Sequence, residues 1–154
     1  ENIRFGREIS QNDIEKATKI SQAYDFIMSF PEGFNHVLSQ KATNISGGQK
    51  QRLLIARALA NHPEILILDD SSSASFSALD FKTDANLRKA ILQNLEHTTS
   101  IIVAQRVSSV MNADLIIVLE EGEIIGMGNH QDLLSTCEVY REISESQMGG
   151  SFID

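Results

Sequence analysis

An α/β fold in two parts is what the sequence predicts, on three observations. Two short apolar runs, "EILIL" (64–68) and "TSIIVAQ" (99–105), have the length and composition of strands buried on both faces of a parallel sheet. Around them lie segments whose apolar residues recur every three or four positions, as helices require. The first sixty residues lack that alternation and read as mostly helical. The expected boundary falls at Pro63. Residues 1–62 form a helical subdomain, and residues 63–154 an α/β part with right-handed crossovers and a mostly parallel sheet.

The elements follow in order. Residues 11–29 carry Ile14, Ala17, Ile20, Ala23, Tyr24 and Ile27 at helical spacing, which predicts one helix or two short ones. Pro31 and Gly33 make "FPEGFNH" (30–36) a turn. A helix from Ser46 to Ala60 must stop before Pro63. Leu87, Ala90, Ile91 and Leu95 form one stripe on a helix over 81–95, and a short polar helix is expected around 106–112. Residues 114–128 predict two strands joined through Glu121-Gly122. "HQDLLS" and "EVYREISES" predict terminal helices, with fraying from Gly149.

Composition narrows the function classes. A formal charge of −8 argues against a duplex-DNA binder, whose affinity rests on cations facing phosphates, so no nucleic-acid partner is expected. It leaves nucleotides open, because backbone N–H groups bind phosphate without net positive charge. The single cysteine, Cys137, cannot make an internal disulfide and reads as a reduced intracellular thiol without a role. No apolar run approaches the roughly 20 residues of a membrane helix. The chain opens on Glu1, as if cut from something longer. His36, His62, His97 and His130 are scattered without metal-ligand spacing. Arg52 and Arg57 read as solvated or as salt-bridge partners between subdomains.

Chemistry concentrates between Asn44 and Ala74. Ser46-Gly47-Gly48-Gln49 has the spacing of a capping box, with serine at the N-cap and glutamine three residues later. Such a helix start exposes unpaired N–H groups and partial positive charge, and glycines let an anion approach the backbone. Read alone, it is as well explained by an ordinary helix cap. Asp69 and Asp70 end an apolar strand, where open α/β sheets gather their ligands. One could hold Mg²⁺ and the next could position an attacking water, or the pair could be no more than an acidic helix N-cap.

Taken in order, these segments resemble the nucleotide-binding domain of ATP-binding-cassette (ABC) exporters. "ISGGQKQRLLIARAL" is similar to the family's signature motif and helix, "ILILDD" to its Walker B strand, and "SALD" (77–80) to its D-loop. "IIVAQRVSSVMNADLIIVLEEGEIIGMGNHQDLL" is similar to the switch region and the tail after it; "ENIRFG" and "FPEGFNH" also match. The resemblance implies a helical subdomain followed by the C-terminal half of a RecA-like P-loop NTPase core. It implies ATP and Mg²⁺ as cofactors, a second nucleotide-binding domain packed head to tail, a transmembrane domain as further partner, and a place at the cytoplasmic face of the membrane. Under it, Ser46, Gly47, Gly48 and Gln49 would touch the ATP of the neighbouring domain. Asp69 would serve the Mg²⁺ of this chain's own site, and Asp80 would lie at the dimer interface. Phe5, Tyr24, Phe26, Phe30 and Phe34 fall where exporters meet their coupling helices, and equally suit the core of the helical subdomain.

Four departures matter. None of the nine glycines precedes a lysine, so the phosphate-binding P-loop is missing and the fragment alone is expected to be inactive. Asp70 stands where the family carries its catalytic glutamate, one methylene longer. Gln105 stands where the family carries its switch histidine; it can donate to a phosphate but cannot become cationic. Finally, the family pattern places the D-loop aspartate at what is here Phe76, and Asp80 lies four residues later. Asp70 and Gln105 together imply the degenerate half of a heterodimeric exporter. The alternatives are a weakly active homodimer, a non-transport ABC ATPase clamp and a docking module without catalysis.

Overall fold

The structure is a computed structural model, and it describes residues 1–69, 81–95 and 97–148. It divides into two compact units, Glu1–Ile101 and Ile102–Asp154.

The first unit opens with a strap, residues 1–9, from which Ile3 and Ile9 enter the core. Helices α1 (Gln11–Ile20) and α2 (Tyr24–Met28) follow, then two single 3₁₀ turns, Gly33–Asn35 and Gln40–Ala42. Ser10 caps α1: its Oγ accepts from Asp13 N at 3.1 Å and donates to the Asp13 carboxylate at 2.6 Å. Helix α3 (Gly47–Leu59) buries Gly48, Gln51, Ile55, Ala56 and Leu59. That spacing is one face of a helix, and burying Ile55 and Leu59 contributes roughly 1.5–3 kcal/mol each. The chain turns through His62 in a left-handed conformation (φ 46°) ahead of Pro63, which ends the helix as expected.

Strand β1 (Ile65–Asp69) pairs in parallel with β2 (Thr99–Val103), and α4 (Phe81–Asn94) lies between them in sequence. Thr98 Oγ1 donates to Pro63 O and Thr99 N to Glu64 O, both at 2.8 Å, aligning the two strand starts. Leu66 of β1 and Leu87 and Ile91 of α4 complete the core built on α1 and α3. The expectation that both strands are buried on both faces is corrected here. Ile65 and Ile67 are 61% and 65% exposed, and Ile101 and Val103 are also exposed. Among the described residues only one side of β1 is covered, so its apolar run behaves as an alternating strand.

The second unit contains α5 (Val107–Val110), an antiparallel hairpin of β3 (Ile116–Glu120) and β4 (Glu123–Gly128), then α6 (His130–Thr136) and α7 (Glu138–Met148). The hairpin turns through Glu121 and Gly122, both at positive φ (49° and 86°), at the dipeptide the sequence marks. A bulge between Val118 and Leu119 shifts the register. Asn129 caps α6, accepting from Asp132 N at 2.9 Å. Val107, Ile116, Val118, Leu133, Cys137 and Tyr140 form the second core. Cys137 is thus a packing residue. Gly126 makes room for it: a Cβ at position 126 would lie 2.9 Å from Cys137 Sγ and 3.1 Å from Leu133 Cδ2.

Candidate functional site

The candidate site begins at the tip of α3. Ser46 has extended backbone (φ −69°, ψ 160°), and both halves of the capping box form. Gln49 N donates to Ser46 Oγ at 3.2 Å, and Ser46 N donates to Gln49 Oε1 at 2.9 Å. This satisfies two donors of the helix start and leaves the amide of exposed Gly47 at its open end, with Gly48 buried just behind it. The serine hydroxyl keeps its hydrogen to donate, and the glutamine keeps its NH₂. The four residues therefore present a rigid, donor-rich and partially positive tip, suited to a terminal phosphate.

The rest of the first unit holds this tip in place. Arg57 donates to Asn2 O at 2.8 Å and lies 4.6 Å over the Phe5 ring, and Arg7 returns a bond to Arg57 O at 3.2 Å. Arg4 donates to Ile9 O within the strap. Arg52 donates to Gln22 O at 2.8 Å and lies 5.0 Å over Phe26. Arg52 and Arg57 both meet backbone carbonyls and aromatic faces. The aromatics divide: Phe26 and Phe34 pack against the core, Tyr24 and Phe34 meet with centroids 6.1 Å apart, and Phe5 is 68% exposed.

Asp69 is exposed at the carboxyl end of β1, the end where parallel sheets present ligand groups. Among the described residues no cluster of three His, Cys, Asp or Glu side chains could hold a metal. Mg²⁺ commonly takes one or two carboxylates, several waters and phosphate oxygens. A single strand-end aspartate fits that ion together with a nucleotide. Asp70 and Asp80 lie outside the described residues.

Gln105 lies in the second unit, in the loop between β2 and α5. Sequence reasoning missed what holds that loop. The side chain of Gln147, on α7, donates through Nε2 to Gln105 O and accepts through Oε1 from Val107 N, both at 2.8 Å. Nothing in the local pattern marks Gln147, because its partners lie some forty residues away.

Two carboxylates elsewhere in the first unit have displaced pKa values. Asp13 is lowered chiefly by its bond from Ser10, and Glu32 chiefly by its bond from His36, 2.9 Å away. Burial raises the Tyr140 phenol, which meets His130 Nδ1 at 2.8 Å. Among the described residues no helix is long and apolar enough to cross a membrane.

Comparison with known proteins adds the family context. Residues 3–73 match the family model described as ABC transporter. The chain is 46% identical over 150 residues to the uncharacterized ABC transporter ATP-binding protein YfiB of Bacillus subtilis (strain 168), covering 97% of this chain and 25% of YfiB. It is 40% identical over 147 residues to ATP-binding cassette sub-family B member 5 of Mus musculus, covering 95% of this chain and 11% of that protein. Among solved structures, a bacterial Atm1-family ABC exporter with ATP bound matches with a TM-score of 0.86 at 34% identity, over 96% of this chain and 25% of that one. The chain therefore spans a quarter or less of these relatives.

Proposed function

We propose, from the match of residues 3–73 to the ABC transporter family model, that the chain is the second half of an exporter's nucleotide-binding domain. Its main task is to complete an ATP site on a neighbouring domain. The observation that carries this reading is the closed capping box at Ser46–Gln49, with a glycine pair at its tip. The amides of Gly47 and Gly48 and the Ser46 hydroxyl donate to the terminal phosphate of ATP held by the partner. Gln49, fixed through its Oε1, orients its NH₂ beside them. Charge that develops on the phosphate during hydrolysis then meets donors already in place, with little reorganisation.

This chain's own site takes the lesser role. Asp69 would hold Mg²⁺, which supplies charge neutralisation on the phosphates when bound. Asp70 has a shorter reach than a glutamate toward an attacking water, and Gln105 offers a neutral donor where a histidine could carry charge. A degenerate own site paired with an intact signature fits a heterodimeric exporter, with residues 1–62 as the signature subdomain and 63–154 completing the ATPase core. In the parent protein the domain sits at the cytoplasmic face of the membrane and couples ATP hydrolysis to export through a transmembrane domain.

Two measurements test this. Titration calorimetry of the 154-residue chain with Mg·ATP is expected to show no complex tighter than millimolar, since the chain has no glycine–lysine pair to cradle a triphosphate. A micromolar one-to-one complex would overturn that. In the full-length subunit with its natural partner, Asp70→Asn is expected to leave turnover largely unchanged. A collapse of turnover would instead favour the homodimer, with Asp70 as a working catalytic acid.

A further inference from the structure

Helix α7 reaches back to the loop that carries Gln105. Tyr140, Ser144 and Gln147 are spaced by four and three, so they share one face of that helix. Tyr140 and Ser144 are each 4% exposed, and Tyr140 packs with Val107 in the second core. The buried face therefore delivers the Gln147 side chain to the start of α5.

That start lacks a cap of its own. The N-cap residue Arg106 makes no capping bond with its side chain. Val107 is buried and is the first helical residue, so its N–H has no acceptor within α5. Gln147 Oε1 accepts from it at 2.8 Å, while Gln147 Nε2 donates to Gln105 O at 2.8 Å. The two bonds restrain the two planar peptide groups on either side of Arg106. The first of those groups includes the Cα of Gln105, from which its side chain departs.

We propose that Gln147 is a positioning residue for Gln105: it fixes the backbone from which the Gln105 carboxamide donates to ATP in this chain's own site. The inference rests on the role given to Gln105 above. Gln147 itself touches no nucleotide. It removes alternative conformations of residues 104–106 before ATP arrives, so less ordering is left to be done on binding. In a site that holds ATP and hydrolyses it slowly, the effect falls on nucleotide retention more than on turnover. The carboxamide has two separable halves. Oε1 serves α5, and Nε2 serves Gln105.

The test uses the full-length subunit with its natural partner. Photolabelling with azido-ATP and Mg²⁺, resolved by subunit, gives the concentration that half-fills this subunit's own site. Gln147→Ala is expected to raise that concentration about three- to tenfold, the worth of one hydrogen bond, with a smaller change in turnover at saturating ATP. Gln105→Ala should raise it by a similar factor. Adding Gln147→Ala to Gln105→Ala should raise it no further, because one residue acts through the other. Gln147→Glu guards against a fold defect: its carboxylate still accepts from Val107 N but cannot donate to Gln105 O. It should weaken retention as much as Gln147→Ala does. Additive effects of Gln105→Ala and Gln147→Ala overturn the proposal, since they assign Gln147 a purely structural role. So does unaltered half-filling in either Gln147 variant. If Gln105→Ala weakens retention in that case, the role of Gln105 stands without Gln147; if Gln105→Ala is silent too, both fall. Equal collapse of turnover in Gln105→Ala and Gln147→Ala, without additivity, supports the positioning role and overturns the slow own site.

Discussion

On the function proposed above, replacing Gly47 by aspartate in the full-length parent assembly is expected to lower ATP turnover by at least about 100-fold, with no loss of stability in α3. The two effects separate because Gly47 is the first residue of the helix and is exposed. An acidic side chain in the first turn complements the helix dipole and is stabilising by roughly 0.3–1 kcal/mol. Aspartate also has a better helix propensity than glycine. Facing a terminal phosphate, the same carboxylate repels the ligand and covers the amides that should receive it. Thermal unfolding of the 154-residue chain should therefore be unchanged or slightly raised, while turnover of the complex falls. The heterodimer reading adds an asymmetry: the matching substitution in the partner's signature should cost much less, because it faces the weak site. Full turnover with Gly47→Asp would show that residues 46–49 do not meet the triphosphate.

The second large effect concerns the second unit. Gly126→Ala should destabilise it by about 1–3 kcal/mol, the usual cost of overpacking. The new methyl would lie 2.9 Å from Cys137 Sγ, 3.1 Å from Leu133 Cδ2 and 3.2 Å from Cys137 Cβ. Leu133 and Cys137 are 1% and 5% exposed, so neither can move aside into solvent. Removing the sulfur should relieve the tightest contact. The double variant Gly126→Ala with Cys137→Ala is expected to lose less than the sum of the two single variants, a coupling readable in a denaturant cycle. Strict additivity would place the cost elsewhere, for instance in the bulged register of the hairpin.

Local chemistry was legible in the sequence wherever one segment decides its own structure. The α3 cap needs only Ser46 and Gln49, the hairpin only Glu121-Gly122, and the helix stop only Pro63. The pattern of apolar spacing also placed Leu87 and Ile91 of α4 in the core. What escaped depends on distant partners. Ile65 and Ile67 look buried because their run is continuously apolar, but burial requires a second layer that no single strand encodes. Arg57 reads as a surface cation until the strap lays Asn2 and Phe5 beside it. At the candidate site the motif proposes the residues of the α3 tip and Asp69 but not their distances to a ligand, which on this reading is held partly by another domain.

The brace at Gln147 has a consequence for integrity of the chain. One carboxamide near the end of the final helix holds two backbone groups of the loop at Gln105 and Val107. Proteolytic trimming or a premature stop that removed only the last turn of α7 would untie that loop while leaving its own residues intact. Limited digestion from the carboxyl terminus, read out by amide exchange at residues 105–107, would reveal whether the loop loosens as soon as position 147 is lost.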